Sequence, residues 1–264
     1  MDLILFAGQS NMAGRGQVSE MWPQKAPKLI DGAGWEFRAI STPNKLSPIE
    51  EPFGVDENRE DGIWDVYSDG KKAKTGSMVS AFCNAYYEKT KVPVVAVSAS
   101  KGGSNIGQWQ ENSAEGYLLD SVKRWECANT FLEKEGYKIR HRYLIWCQGE
   151  SDGDLQRCGE EYKEMFLKTW NRLKQAGMEH CFLIKIGDCN IPDAYDRYLE
   201  IQRAQEELAA ENEDISMASR AFCGMRKRGL MKDAFHYYQQ GYNECGTAAG
   251  KFVGETVWES LRKN

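Results

Sequence analysis

Met1-Asp2-Leu3-Ile4-Leu5-Phe6-Ala7 runs without a break into Gly8-Gln9-Ser10-Asn11-Met12. The first part is an apolar run of strand-forming residues, and it stops at a small polar cluster carrying a serine. A strand buried on both faces reads as such a run and belongs to a parallel sheet. Open α/β sheets place their chemistry just outside the carboxyl ends of the strands, which is where Ser10 falls. Two readings of this serine stand side by side. It is a nucleophile if a base lies within hydrogen-bond reach and the following turn points its N–H groups at a developing oxyanion. Otherwise Ser10 and Asn11 cap a helix that begins there.

Similar apolar runs recur at 92–99, 142–147, 181–187 and 214–219. Amphipathic stretches at about 77–90, 115–135, 157–176 and 194–212 alternate with them, and a last helix is predicted near 239–262. Alternation of this kind predicts an α/β fold, a parallel sheet covered on both faces. Residues 17–75 differ. They hold Pro23, Pro27, Pro43, Pro48 and Pro52 of the seven prolines, with one short strand predicted at 35–41. Trp64 and Tyr67 lie in this irregular stretch, which reads either as a binding wall or as a mobile surface insertion. No repeat or linker divides the chain, so one domain over 1–264 is expected.

Composition sets outer bounds. With 41% hydrophobic and 28% charged residues in 264, a folded globular chain is expected and disorder is not. The net charge of −5 argues against nucleic acid or an anionic membrane as partner. No apolar window is long enough to span a bilayer. Met1-Asp2 enters a strand with no basic leader, from which a cytoplasmic location is expected. The eight cysteines show no C-x-x-C pair and several sit in apolar runs, so reduced, structural thiols are expected.

Three further polar clusters follow later in the chain. Ser98-Ala99-Ser100-Lys101-Gly102-Gly103-Ser104-Asn105 comes after the 92–99 run, and its paired glycines suit either close approach to a ligand or a plain tight turn. Gln108-Trp109 follows, with Trp109 either edging a pocket or lying in the core. Trp146-Cys147-Gln148-Gly149-Glu150-Ser151-Asp152 puts a carboxamide and two acids at a strand end, which costs free energy unless each is paired. Gln148 is able to donate to an oxyanion; Glu150 and Asp152 are also candidate caps for the next helix, and Asp152 is read mainly so. In Lys232-Asp233-Ala234-Phe235-His236, the aspartate is spaced to fold back onto Nδ1 of the histidine and leave Nε2 free as base. His141 and His180 precede apolar runs, at the wrong edge of a parallel sheet, which leaves His236 to meet Ser10.

Taken together, the four segments resemble the blocks of the SGNH hydrolases. The branch is that of the acetylxylan esterases (carbohydrate esterase family six) and the sialate O-acetylesterase-like domain. G-Q-S-N-M stands at 8–12, Gly102-Gly103-Ser104 in place of a Gly-Gly-Thr block, Q-G-E-x-D at 148–152, and D-x-x-H at 233–236. The resemblance implies a flavodoxin-like three-layer αβα sandwich around a mostly parallel sheet of about five strands. It implies Ser10 as nucleophile, His236 as base and Asp233 as orienting acid, with Glu150 able to share that last task. The oxyanion hole would be the Ser10 N–H, the Gly103 N–H (in preference to Gly102) and the Gln148 amide, with Gln9, Asn11 and Trp109 in support. The implied reaction is removal of O-acetyl groups from an acetylated sugar through an acetyl-enzyme, with no metal or organic cofactor. Alternatives are an SGNH esterase or thioesterase for other short acyl groups, and a non-catalytic flavodoxin-like binding module. Ser104 for threonine, the charged Lys101 and an apparent insertion at 55–75 depart from the family pattern.

Overall fold

A computed structural model describes the backbone of residues 1–263 and the side chains of residues 1–257. Its seven strands are β1 (Asp2–Gly8), β2 (Gly34–Phe37), β3 (Leu46–Ser47), β4 (Val94–Ser100), β5 (Arg142–Cys147), β6 (His180–Ile184) and β7 (Ile215–Ser219). They form one sheet in the order β3-β2-β4-β1-β5-β6-β7, parallel throughout except for the β2–β3 pair. The five apolar runs became β1, β4, β5, β6 and β7. Their order, β4-β1-β5-β6-β7, is the flavodoxin-like arrangement. The two strands beyond the expected five both come from residues 17–75. The first, predicted at 35–41, forms at Gly34–Phe37; β3, two residues long, is too short to carry a periodic signal.

The helices are α1 (Ser10–Ala13), α2 (Val79–Thr90), α3 (Tyr117–Lys134), α4 (Glu150–Asp154), α5 (Gly159–Gln175), α6 (Leu199–Glu211) and α7 (Gln239–Lys263). Side chains of β1 alternate between two cores. Leu3, Leu5 and Ala7 pack with Trp125, Trp170 and Leu208 of α3, α5 and α6. Ile4 and Phe6 pack with Phe82, Tyr86, Tyr242 and Val253 of α2 and α7. Each large side chain so buried contributes about 1.5–3 kcal/mol. Helices α2 and α7 lie close because Gly246 and Gly250 face α2: a Cβ on either would stand 2.2 Å from Met78 O or 2.3 Å from Phe82 O.

Strands β1 and β5 converge where the chemistry is expected. A Cβ on Gly8 would lie 2.0 Å from Cys147 O, and the Gln9 N–H donates to that same oxygen at 2.8 Å. Only glycine lets the end of β1 come so near its neighbour. Ser10 therefore emerges between β4 and β5, where the strand order reverses and a crevice opens.

Residues 17–75 are anchored rather than loosely appended. Glu57 accepts the N–H groups of Ile40 and Ser41, and Arg124 of α3 donates to Glu57 O and Ser98 O. Lys74 is buried and donates to Gly54 O at 2.8 Å and Ser98 Oγ at 2.9 Å. Burial lowers the pKa of its ammonium from 10.5 to about 8. Between those two values the unfolded chain holds a proton that the folded chain has shed, so this group makes stability rise with pH. Integrated from pH 8 to pH 10, the wild type should gain about 2 kcal/mol relative to Lys74→Met. Urea midpoints of both proteins at the two pH values check this, and parallel pH dependences would contradict it.

Candidate active site

The turn after β1 begins helix α1 at once, so Ser10 sits at the first helical position with its N–H lacking an intrahelical acceptor. Ser10 Oγ lies 2.9 Å from His236 Nε2, and His236 Nδ1 lies 3.0 Å from Asp233 Oδ2. Asp233 Oδ1 also accepts the backbone N–H groups of Phe235 (2.9 Å) and His236 (2.8 Å), which locks the loop into the shape that presents the ring. Burial opposes ionisation of the Asp233 carboxyl. The hydrogen bonds from His236 and the backbone outweigh it and hold the group well below the usual carboxylate range. His141 and His180 lie at the amino-terminal ends of β5 and β6, across the sheet from Ser10. His141 stacks on Tyr143 and His180 bonds Ser216.

Asn11 ties the serine turn to the histidine loop. Its Nδ2 donates to Glu150 Oε1 at 2.6 Å and to Phe235 O at 3.1 Å, while its Oδ1 accepts from Tyr242 at 2.7 Å. Glu150 is buried, and burial raises its carboxyl pKa against the pull of the Asn11 bond. Among the described residues it makes no hydrogen bond to His236, and Asp233 is the one partner of Nδ1, so this geometry gives the orienting role to Asp233.

The glycine pair divides its work. The Gly102 N–H is taken by Asp65 Oδ1 at 2.9 Å. Gly103 has φ of +71°, and its N–H makes no hydrogen bond among the described residues. Trp109 is fully buried and does not edge the cleft: its Nε1 donates to Ser104 Oγ at 2.9 Å, and its ring meets Trp146 edge-on. Ser104 Oγ in turn closes the glycine turn by donating to Lys101 O at 2.8 Å.

Two further expectations require correction. Asp152 does not cap α4 but lies within it, and its carboxylate caps the 3₁₀ turn Ile106–Trp109 through the Ile106 N–H at 2.9 Å. Gln148 does not reach the cleft. It is fully buried, and its Nε2 donates to Ser104 O at 3.0 Å and Asp152 Oδ2 at 2.5 Å, leaving no N–H for an oxyanion. The buried carboxylate is the stronger acceptor and captures the amide.

The carboxamide that lines the cleft is that of Gln9. Its Oε1 accepts the Gly149 N–H at 2.9 Å, which fixes the orientation of the carboxamide. Its Nε2 then has no acceptor among the described residues, and Gln9 lines the cleft beside Ser10. The cleft is about 320 Å³. Arg15, Asp65, Tyr67, Lys101 and Phe235 complete its wall with Ser10, Gly103 and His236. Two larger hollows, about 470 and 580 Å³, contain none of these chemical groups. Arg15 and Asp65 were not singled out in the sequence. Neither stands in a motif, and Asp65 belongs to the stretch with no periodicity.

A mostly parallel αβα sheet with a serine at the switch point, facing a histidine and an aspartate, is the architecture of the SGNH-type hydrolases. The chain matches over residues 1–253 the profile of the family described as carbohydrate esterase, sialic acid-specific acetylesterase, and it belongs to that family. Similar solved structures include a protein from Arabidopsis thaliana, 22% identical, covering 96% of this chain and 97% of that one with a TM-score of 0.70. NanS is similar at 14% identity, with 100% and 98% covered and a TM-score of 0.58. An acetyl-xylooligosaccharide esterase from Geobacillus is similar at 13% identity, with 96% and 94% covered and a TM-score of 0.51. At these identities the likeness concerns the fold. No curated protein sequence matches the chain. Among the described residues no helix is long and apolar enough to cross a membrane.

Proposed function

We propose that this carbohydrate esterase removes O-acetyl groups from acetylated sugars through a serine-bound acetyl-enzyme. The observation that carries the reading is the unbroken relay Ser10–His236–Asp233, at 2.9 and 3.0 Å, opening onto the cleft. His236 takes the Ser10 proton as the hydroxyl oxygen attacks the acetyl carbonyl. Asp233 fixes the tautomer and stabilises the imidazolium that forms. The N–H groups of Ser10 and Gly103 and the Gln9 amide receive the oxyanion. His236 then returns its proton to the departing sugar oxygen, and water releases acetate by the same steps.

The substrate class rests on the family, whose description is sialic acid-specific acetylesterase. Acetylated xylo-oligosaccharide is the competing substrate, by likeness to the Geobacillus structure. The test is hydrolysis of p-nitrophenyl acetate against butyrate and octanoate, followed by O-acetyl sialic acid against acetylated xylo-oligosaccharides. Acetate is expected to be preferred, with acetyl release from at least one of the two sugars. A preference for octanoate, or ester hydrolysis without acetyl release from any sugar, would overturn the reading.

A further inference from the structure

We propose that Asp65, carried by the 17–75 segment, is a positioning residue for the oxyanion hole: with Arg15 it holds the Gly102–Gly103 turn so that the Gly103 N–H stays turned to the cleft. The proposal rests on the esterase reading above.

Three observations carry it. Asp65 Oδ1 serves two partners, the Gly102 N–H at 2.9 Å and Arg15 Nη2 at 2.8 Å, and Oδ2 holds that same Nη2 at 2.9 Å. Arg15 stands two residues beyond α1, whose first residue is Ser10, so the pair links the two turns that carry the backbone oxyanion donors. Asp65 is itself fixed, its N–H donating to Asn58 Oδ1 and its carbonyl accepting from Ala73.

Second, the residue identity of Gly102 follows from the ion pair. A Cβ on Gly102 would stand 2.4 Å from Arg15 Nη2 and 2.8 Å from Asp65 Oδ1. Gly103 has open space at that position and needs glycine for its positive φ. One glycine of the pair admits the carboxylate–guanidinium ion pair, and the other makes the turn.

Third, the pair is a poor device for stability alone. Both side chains are nearly sealed, at 6% and 3% exposure, and desolvating two charges generally offsets most of their attraction. An apolar contact would join the segment to the sheet as well. What an apolar contact would not supply is an acceptor for the Gly102 N–H, without which that amide would be free to rotate toward the cleft and carry the Gly103 N–H away.

The test compares Asp65→Ala, the near-isosteric Asp65→Asn and wild type on p-nitrophenyl acetate. Rates are normalised to active sites titrated with a p-nitrophenyl organophosphate, and hydrogen exchange at the Gly102 amide is followed by NMR in parallel. The expected result for Asp65→Ala is a fall of about 10²-fold in kcat per titrated site with KM little changed, as for a misplaced catalytic group. Fast exchange at Gly102 should accompany it, with Asp65→Asn intermediate in both. An unchanged kcat per titrated site in Asp65→Ala would overturn the proposal. So would a lowered kcat with the Gly102 amide still protected. Failure of the esterase reading shows separately, as wild-type activity that survives Ser10→Ala.

Discussion

His236→Ala is expected to lower kcat on p-nitrophenyl acetate by ~10⁴–10⁶-fold, with Ser10→Ala matching it. The two losses should not add in the double variant, because each removes the same relay: Oγ and Nε2 lie 2.9 Å apart and neither acts without the other. Asp233→Asn should cost less, ~10²–10⁴-fold, since an amide oxygen still accepts from the loop backbone while the charge facing the imidazolium is lost. Steady-state kinetics on the three variants, with folding checked by near-UV circular dichroism, measure this. Additive losses for Ser10 and His236 would show that they do not work as one unit.

The second large effect separates two glutamines. Gln9→Glu keeps an oxygen for the Gly149 N–H but replaces the cleft-facing N–H₂ with an acceptor, so kcat should fall by ~10²–10³-fold with KM nearly unchanged. Gln148→Leu removes the donor to Ser104 O and leaves the buried Asp152 carboxylate one bond short. Its effect should be a lower melting temperature, corresponding to about 1–3 kcal/mol, with a kcat loss below that of Gln9→Glu. Kinetics and thermal unfolding of the two variants decide between them. The reverse pattern would restore Gln148 as the third donor and remove Gln9 from the hole.

What the sequence allowed here depended on how local each determinant is. Ser10 follows its strand directly, and Asp233 and His236 contact each other within one turn, so the meeting of these three was suggested by local sequence, while their roles were implied only by the resemblance. Gln9 and Gln148 are both carboxamides at strand ends, and which one faces the cleft depends on Asp152, a buried acceptor four residues beyond Gln148. The preference for Gly103 over Gly102 came from the resemblance alone, because the residue that takes the Gly102 N–H, Asp65, is far away in the chain. Trp109 was ambiguous because a tryptophan near a turn suits a pocket wall and a core alike. The five long strands announced themselves by apolar runs, whereas β3 and the cleft wall from the 17–75 segment have no period to read.

The position of β2 and β3 in the sheet has one more consequence. Strand β4, Val-Val-Ala-Val-Ser-Ala-Ser, is buried on both faces by the two cores, and β2 pairs with its outer edge over Val94–Val97. Without β2 and β3, this row of backbone donors and acceptors would become an open border able to recruit another chain, the usual starting point of intermolecular sheet growth. The segment that shapes the cleft is thus also the guard against aggregation. Attempts to minimise the enzyme by trimming 17–75 should fail first as insoluble protein rather than as an inactive soluble one.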